Sequence, residues 1–206
     1  MVSPPPVTVY DNLLAPEHHR AVLAYLSRPG WSYGGYSDPH GDRYFYKHFA
    51  GFVRDGAEAF DASQIEAELE REAPILSQLW RALSSGPLKG QILARCYANA
   101  LAAGVEGSVH TDSNVSGHLT AIYYPHLNWA PNLGGETLLF NATKDDVIAA
   151  IYPKPNRLAV FDGSLPHVAR PLSRLSRDLR VTLMFKTMPV GDPILTRASE
   201  TALATA

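Results

Sequence analysis

Val109-His110-Thr111-Asp112-Ser113 is the stretch on which the reading of this 206-residue chain turns. An imidazole and a carboxylate stand at i and i+2, and in extended chain those positions project from one face. Both donors can then converge on one cation. An H-x-D pair is common in solvated loops, so its weight comes from what lies downstream. Leu165-Pro166-His167-Val168 supplies a second imidazole, and Arg180-Val181-Thr182 opens an apolar run. Two His and one carboxylate make a facial triad that leaves positions open on a non-haem Fe(II). An arginine inside a barrel can hold a dicarboxylate by a two-pronged charge-assisted contact.

The bulk properties narrow the class. The length suits one domain with a sizeable core. A net charge of −2 gives no electrostatic case for nucleic acid or an anionic membrane surface. The single cysteine, Cys96, excludes an internal disulfide and a thiolate metal cage, and reads as a small buried hydrophobe. Met1-Val-Ser-Pro-Pro-Pro6 lacks the basic and long apolar regions of a signal peptide, and no apolar run is long enough to span a bilayer. The expectation is a soluble cytoplasmic protein that meets neither nucleic acid nor membrane.

Outward from the H-x-D, the upstream strand is Gln91 to Asn99, where Gln91, Leu93, Arg95, Tyr97 and Asn99 alternate with Ile92, Ala94, Cys96 and Ala98. Downstream, Leu119 to Tyr124 is rich in β-branched and aromatic residues, with Thr120, Ile122 and Tyr124 on the inward phase and Tyr123 outward. Asn128 to Gly135 is turn-rich, and Glu136 to Phe140 and Arg157 to Phe161 read as strands. Asp145 to Ile151 reads as a short helical turn. From Arg180 to Lys186 the inward set is Arg180, Thr182 and Met184. Towards the N-terminus, Val7 to Tyr10 reads as a strand and Pro16 to Leu26 as a helix opened by Pro and an acid. Trp31 to Phe52 reads as aromatic-rich strands around a loop at Ser37 to Asp42, with Arg43 and Tyr46 as candidate substrate contacts. A long amphipathic helix begins at Asp61 or Ser63 and is divided or kinked at Pro74.

The H-x-D, the Ile122-Tyr-Tyr followed by Trp129 and Gly134-Gly-Glu-Thr137, the distal His167 and the Arg180-x-Thr182 together resemble the Fe(II)/2-oxoglutarate-dependent oxygenases, in their prolyl-4-hydroxylase-like branch. The resemblance covers roughly Ile92 to Lys186. It implies a mainly β (α+β) fold, a double-stranded β-helix of jelly-roll, cupin-like type buttressed by N-terminal helices. The whole chain is then one domain: 1–90 with N-terminal helices and substrate-side strands, 91–188 as catalytic barrel core, and 189–206 as tail. It implies Fe(II) on His110, Asp112 and His167, with 2-oxoglutarate and O2 as cosubstrates. Arg180, Thr182, Tyr124 and Tyr97 would hold 2-oxoglutarate, and Asn99 joins Arg43 and Tyr46 as a substrate candidate. Arg177 rivals Arg180, because the family's basic residue falls nearer the distal His. The link from Ala98 to Val109 is longer than the family's.

The implied activity is hydroxylation of an unactivated C–H bond of a small molecule, such as an amino acid or a natural-product intermediate, with release of succinate and CO2. Halogenases of the superfamily lack the carboxylate that Asp112 supplies. Glu136 is set aside as a ligand because the triad is already filled. Three other readings stay open: a Zn-dependent hydrolase on the same residues, a catalytically silent barrel acting as a binding module, and a protein prolyl hydroxylase.

Overall fold

The computed structural model describes residues 5–51 and 62–192. The expected cap at Asp61, Phe52 and the tail beyond residue 192 lie outside that range. The N-terminal part runs β1 (Thr8–Tyr10), α1 (Pro16–Leu26), β2 (Ser32–Gly35), β3 (Tyr44–Ala50), α2 (Ala62–Glu72) and α3 (Pro74–Ser85). Then follow β4 (Gln91–Leu101), β5 (Leu119–Tyr124), β6 (Thr137–Phe140), β7 (Val147–Ile151), β8 (Arg157–Asp162), β9 (His167–Ala169) and β10 (Arg180–Pro189). Seven strands make one sheet in the order β1-β8-β5-β10-β4-β3-β2, and β7-β6-β9 make a second. Every strand pair within them is antiparallel. The two sheets face each other as a double-stranded β-helix.

Local sequence explains the elements. Pro16 stands in the first turn of α1 with Glu17 beside it. Pro lacks only an amide that the helix would leave unpaired there, and the acid complements the helix dipole. Pro74 divides the long helical stretch into two. Ala73 leaves helical geometry at φ −146° and ψ 67°, and its carbonyl accepts the Ser77 amide that opens α3. Ser63 lies inside α2.

Alternation along the strands sorts residues between two environments. Leu183 and Phe185 of β10, Cys96 and Ala98 of β4, and Tyr123 of β5 join one apolar cluster with Leu69, Leu76, Trp80 and Leu83 of the helices. Their partners in phase, Met184, Ile122 and Tyr124, pack towards Leu139 and Ile151 of the smaller sheet. Burial raises the Cys96 thiol well above its ordinary value, as a structural cysteine requires.

One finding differs from the sequence reading and a second extends it. The residues read as a helical turn end in β7, paired with β6. Val147, Ile148 and Ile151 favour extended chain, and the helix-like signal comes from the Asn141–Asp145 turn, where Asp145 accepts from Asn141 Nδ2 and Thr143 Oγ1. The N-terminal strands are also integral to the large sheet: β1 pairs with β8 and β3 with β4.

Candidate metal centre and its cavity

His110 follows β4 and meets His167, at the start of β9, through a two-way backbone bridge, with N–H···O distances of 3.0 and 2.9 Å. The Asp112 amide donates to Gly163 O at 2.8 Å, in the turn that ends β8. This backbone pairing fixes the three side chains together. Their ligand atoms all lie within 4.8 Å of one another. The imidazole tautomers are set by their outer neighbours. His110 Nδ1 donates to Ser108 O, and His167 Nδ1 to Leu165 O, each at 2.9 Å. Both Nε2 atoms are thus left as lone-pair donors facing a carboxylate, His167 Nε2 at 3.2 Å from Asp112 Oδ2 and His110 Nε2 at 3.5 Å from Oδ1. Three acceptors converging on one point fit a cation, and two His plus one carboxylate fit Fe(II).

Asp112 has two further partners. Thr120 Oγ1 donates to its Oδ2 at 2.6 Å, and the Lys186 ammonium pairs with the same oxygen. Burial opposes ionisation of Asp112, but the positive charge of Lys186 outweighs it and holds the carboxyl well below the ordinary carboxylate range. Lys186 was not among the expected site residues. It continues the 180, 182, 184 phase by one more step, so the alternation itself carried the signal. A register shift between Lys186 and Thr187 ends the regular ladder there, as bulges often do beside a site.

The triad opens into a cavity of about 610 Å³ between the sheets. Arg180 and Thr182 of β10, Tyr97 and Asn99 of β4 and Tyr46 of β3 line it. Arg180 is 2 % exposed. Its Nε donates to Gly135 O at 2.6 Å and its Nη2 to Thr137 Oγ1 at 2.8 Å. No ion pair with an acidic side chain neutralises it among the described residues. Gly135 stands at φ +79°, and a Cβ there would meet Arg180 Cδ at 3.0 Å, so the second glycine gives the arginine its room. Tyr124 lies behind this wall: its hydroxyl is 3.1 Å from Thr137 Oγ1, and its ring lies under the Arg180 guanidinium at 5.7 Å.

Other candidates fall elsewhere. Arg177 is exposed on the β9–β10 connection. Arg43 does not line the cavity. Its guanidinium is tied to the carbonyls of Asp42 and Pro39, both at 2.6 Å, and lies over the Tyr36 ring. Asp42 lines the cavity instead, accepting the Ser37 and Asp38 amides and fixing the loop between β2 and β3. Glu136 is outside the triad cluster.

No protein-family model matches the chain, and no curated protein matches it in sequence. Solved structures do match in fold. A prolyl-4-hydroxylase from Pseudomonas putida superposes with a TM-score of 0.59 at 20% identity, over 89% of this chain and 92% of that one. A prolyl hydroxylase from Trichoplax adhaerens, solved with a hypoxia-inducible-factor peptide fragment, gives 0.60 at 17% identity, over 94% and 87%. HygX from Streptomyces hygroscopicus, solved with nickel and 2-oxoglutarate, gives 0.61 at 10% identity, over 90% and 83%. The chain therefore has the fold of the prolyl-4-hydroxylase-like 2-oxoglutarate–Fe(II) oxygenases, and the resemblance read from its motifs extends to the architecture. No helix among the described residues is long and apolar enough to cross a membrane.

Proposed function

We propose that the chain is an Fe(II)- and 2-oxoglutarate-dependent oxygenase that hydroxylates an unactivated C–H bond of a small molecule, releasing succinate and CO2. The observation that carries this reading is the pair of Nδ1-locked imidazoles facing Asp112 across a gap that suits a cation. His110, Asp112 and His167 would hold the iron. The iron, O2 and 2-oxoglutarate together supply the oxidising chemistry.

The protein's own contribution is positioning. Arg180, buried and lacking an acidic partner, is suited to the far carboxylate of 2-oxoglutarate, with Thr182 beside it. Tyr124 and Thr137 orient that guanidinium from behind. Tyr97, whose hydroxyl burial keeps protonated, can donate a hydrogen bond into the cavity. Asn99 and Tyr46 face the remaining space, where substrate would lie.

The test is succinate release on addition of Fe(II), 2-oxoglutarate and candidate substrates. His110→Ala, Asp112→Ala and His167→Ala should each lower it by more than the roughly 100-fold upper end typical of outer-sphere changes. Arg180→Lys keeps the charge and loses the fork, so the KM for 2-oxoglutarate should rise about tenfold or more, while Arg177→Lys changes little. Triad variants that retain near-wild-type release would refute the reading. The peptide bound to the Trichoplax protein motivates a second reading, a peptidyl substrate. Proline-containing peptides assayed beside free amino acids separate the two.

A further inference from the structure

A second cation of the cavity, besides Arg180, lacks an acidic counterpart among the described residues. Arg95 lies on β4 in phase with Tyr97 and Asn99, and lines the cavity together with the triad. Its Nε is buried and has no hydrogen-bond partner. No ion pair among the described residues includes it. Its guanidinium carbon sits 4.9 Å from the centre of the Tyr97 ring. That contact offsets some of the charge and satisfies none of the donors.

The surroundings add positive charge and spend their acids elsewhere. Lys186 faces Arg95 across the β4–β10 ladder. Asp112 is committed to the triad, Thr120 and Lys186. Glu68, an acid whose charge reaches His48, accepts the Gly51 amide at 2.8 Å. Burial, and after it the charge of Arg95, push the His48 imidazole below its ordinary value. Arg95 is half-buried, with its Nε shut away from solvent and idle; a buried donor without a partner is costly to keep, and an anion entering the cavity removes that cost.

Position decides which anion. Arg180 pairs with Leu101 and Lys186 with Arg95, so the two arginines stand at levels six residues apart on the ladder. That is roughly 20 Å along the strands. Those are backbone levels; Arg180 reaches to Gly135 and Thr137 and Arg95 to Tyr97, so the two guanidiniums mark different ends of the cavity, and the anion at Arg95 is assigned to a second molecule. We infer that Arg95 anchors a carboxylate of the substrate, which makes the substrate a small carboxylic acid, amino acids included; this rests on the oxygenase reading above. The planar fork of arginine suits a carboxylate in two-pronged contact. The Tyr97 ring holds the guanidinium plane, and the triad lies beside Lys186, so a bond near the carboxylate is brought to the metal.

The test is calorimetric titration of the protein loaded with Ni(II) and 2-oxoglutarate, using each proteinogenic L-amino acid and its primary amide. At least one acid should bind, and its amide should bind roughly 30-fold more weakly or worse, as expected when a desolvated charge pair loses one partner. Arg95→Gln should weaken the acid by a similar factor and bring acid and amide level. Arg95→Lys should restore part of the difference, and 2-oxoglutarate should titrate in both variants as in the wild type. If no amino acid binds to protein that takes up metal and 2-oxoglutarate, the inference fails. It also fails if an acid and its amide bind the wild type equally, or if the acid's advantage survives in Arg95→Gln. Protein that takes up neither nickel nor 2-oxoglutarate overturns the oxygenase reading alone, because the acid–amide comparison is still read on the metal-free chain.

Discussion

Along β10, Leu183 and Phe185 turn towards the helices, while Arg180, Thr182, Met184 and Lys186 turn towards the cavity. The same strand therefore serves two opposed environments. On the helix side, apolar surface meets apolar surface and the packing is closed: Phe185 is 0% exposed and stacks on Trp80 at a centroid distance of 6.0 Å. On the cavity side three cations, Arg95, Arg180 and Lys186, are buried or half-buried, and of these Lys186 pairs with the carboxylate of the triad. The helix side gains stability from its contacts. The cavity side gives some stability up, holding charges that lack a full set of partners among the described residues.

If that division holds, deletions on the two faces separate stability from function. Phe185→Ala removes a fully buried ring from the helix face and should cost about 3–5 kcal/mol, read as a lower midpoint in denaturant unfolding. Thr182→Ala, on the cavity face of the same strand, should cost under about 1 kcal/mol. A Thr182 variant as unstable as the Phe185 variant would mean the cavity face also carries the fold.

Lys186 sharpens the contrast. Its ammonium is the one Lys or Arg cation on Asp112 among the described residues, and both side chains are mostly buried, at 14% and 12% exposure. Lys186→Met leaves the carboxylate without that partner in the metal-free protein, so metal-free stability should fall by about 2–3 kcal/mol. Metal restores a cation at the same carboxylate. The stabilisation on adding Ni(II), measured as a rise in Tm, should therefore be larger in the variant than in the wild type. An equal or smaller rise would show that Lys186 and the metal do not share Asp112.

Much of this division was legible in the chain, because period-two alternation reports faces directly. The phases of β4, β5 and β10 place Tyr97, Asn99, Ile122, Thr182 and Met184 as expected. The start of β10 at Arg180 was legible too, since strand-like residues follow it, while Arg177 falls on the connection before the strand. What stayed hidden depends on contacts between distant segments. Alternation showed Arg95 and Lys186 as polar positions but not that β4 and β10 set them opposite each other. Arg43 sits among aromatic residues and looked like a substrate contact, but its local turn offers it carbonyls only a few residues away. A side chain satisfied within its own loop is invisible to a composition argument.

The smallest effect lies where the two faces meet, at the start of β10. His126 Nε2 accepts the Val181 amide at 3.1 Å, beside Arg180, and its ring packs 4.5 Å from that of Trp129. Burial, and after it the charge of Arg180, push its imidazole down to about 4. The unfolded chain protonates this residue near pH 6.5. Between those values the unfolded state binds more protons, so the contribution is fully present above pH 6.5 and is lost as pH falls towards 4. Since the ring keeps some contact with solvent, the loss should be about 1–2 kcal/mol across the window. His19 and His48 are also held below their ordinary values, by burial first, and add slope of the same sign. The wild-type slope alone therefore does not isolate His126. The difference between wild type and His126→Gln does, because the variant keeps a side chain able to accept the Val181 amide and cannot titrate. Measured from pH 7 down to 4.5, the unfolding free energy of the wild type minus that of the variant should fall by about 1–2 kcal/mol, whatever its value at neutral pH. Parallel curves would place the protonation of His126 outside the folding equilibrium, and the proton-sensitive link between the helix-side packing and the Arg180 wall would be lost with it.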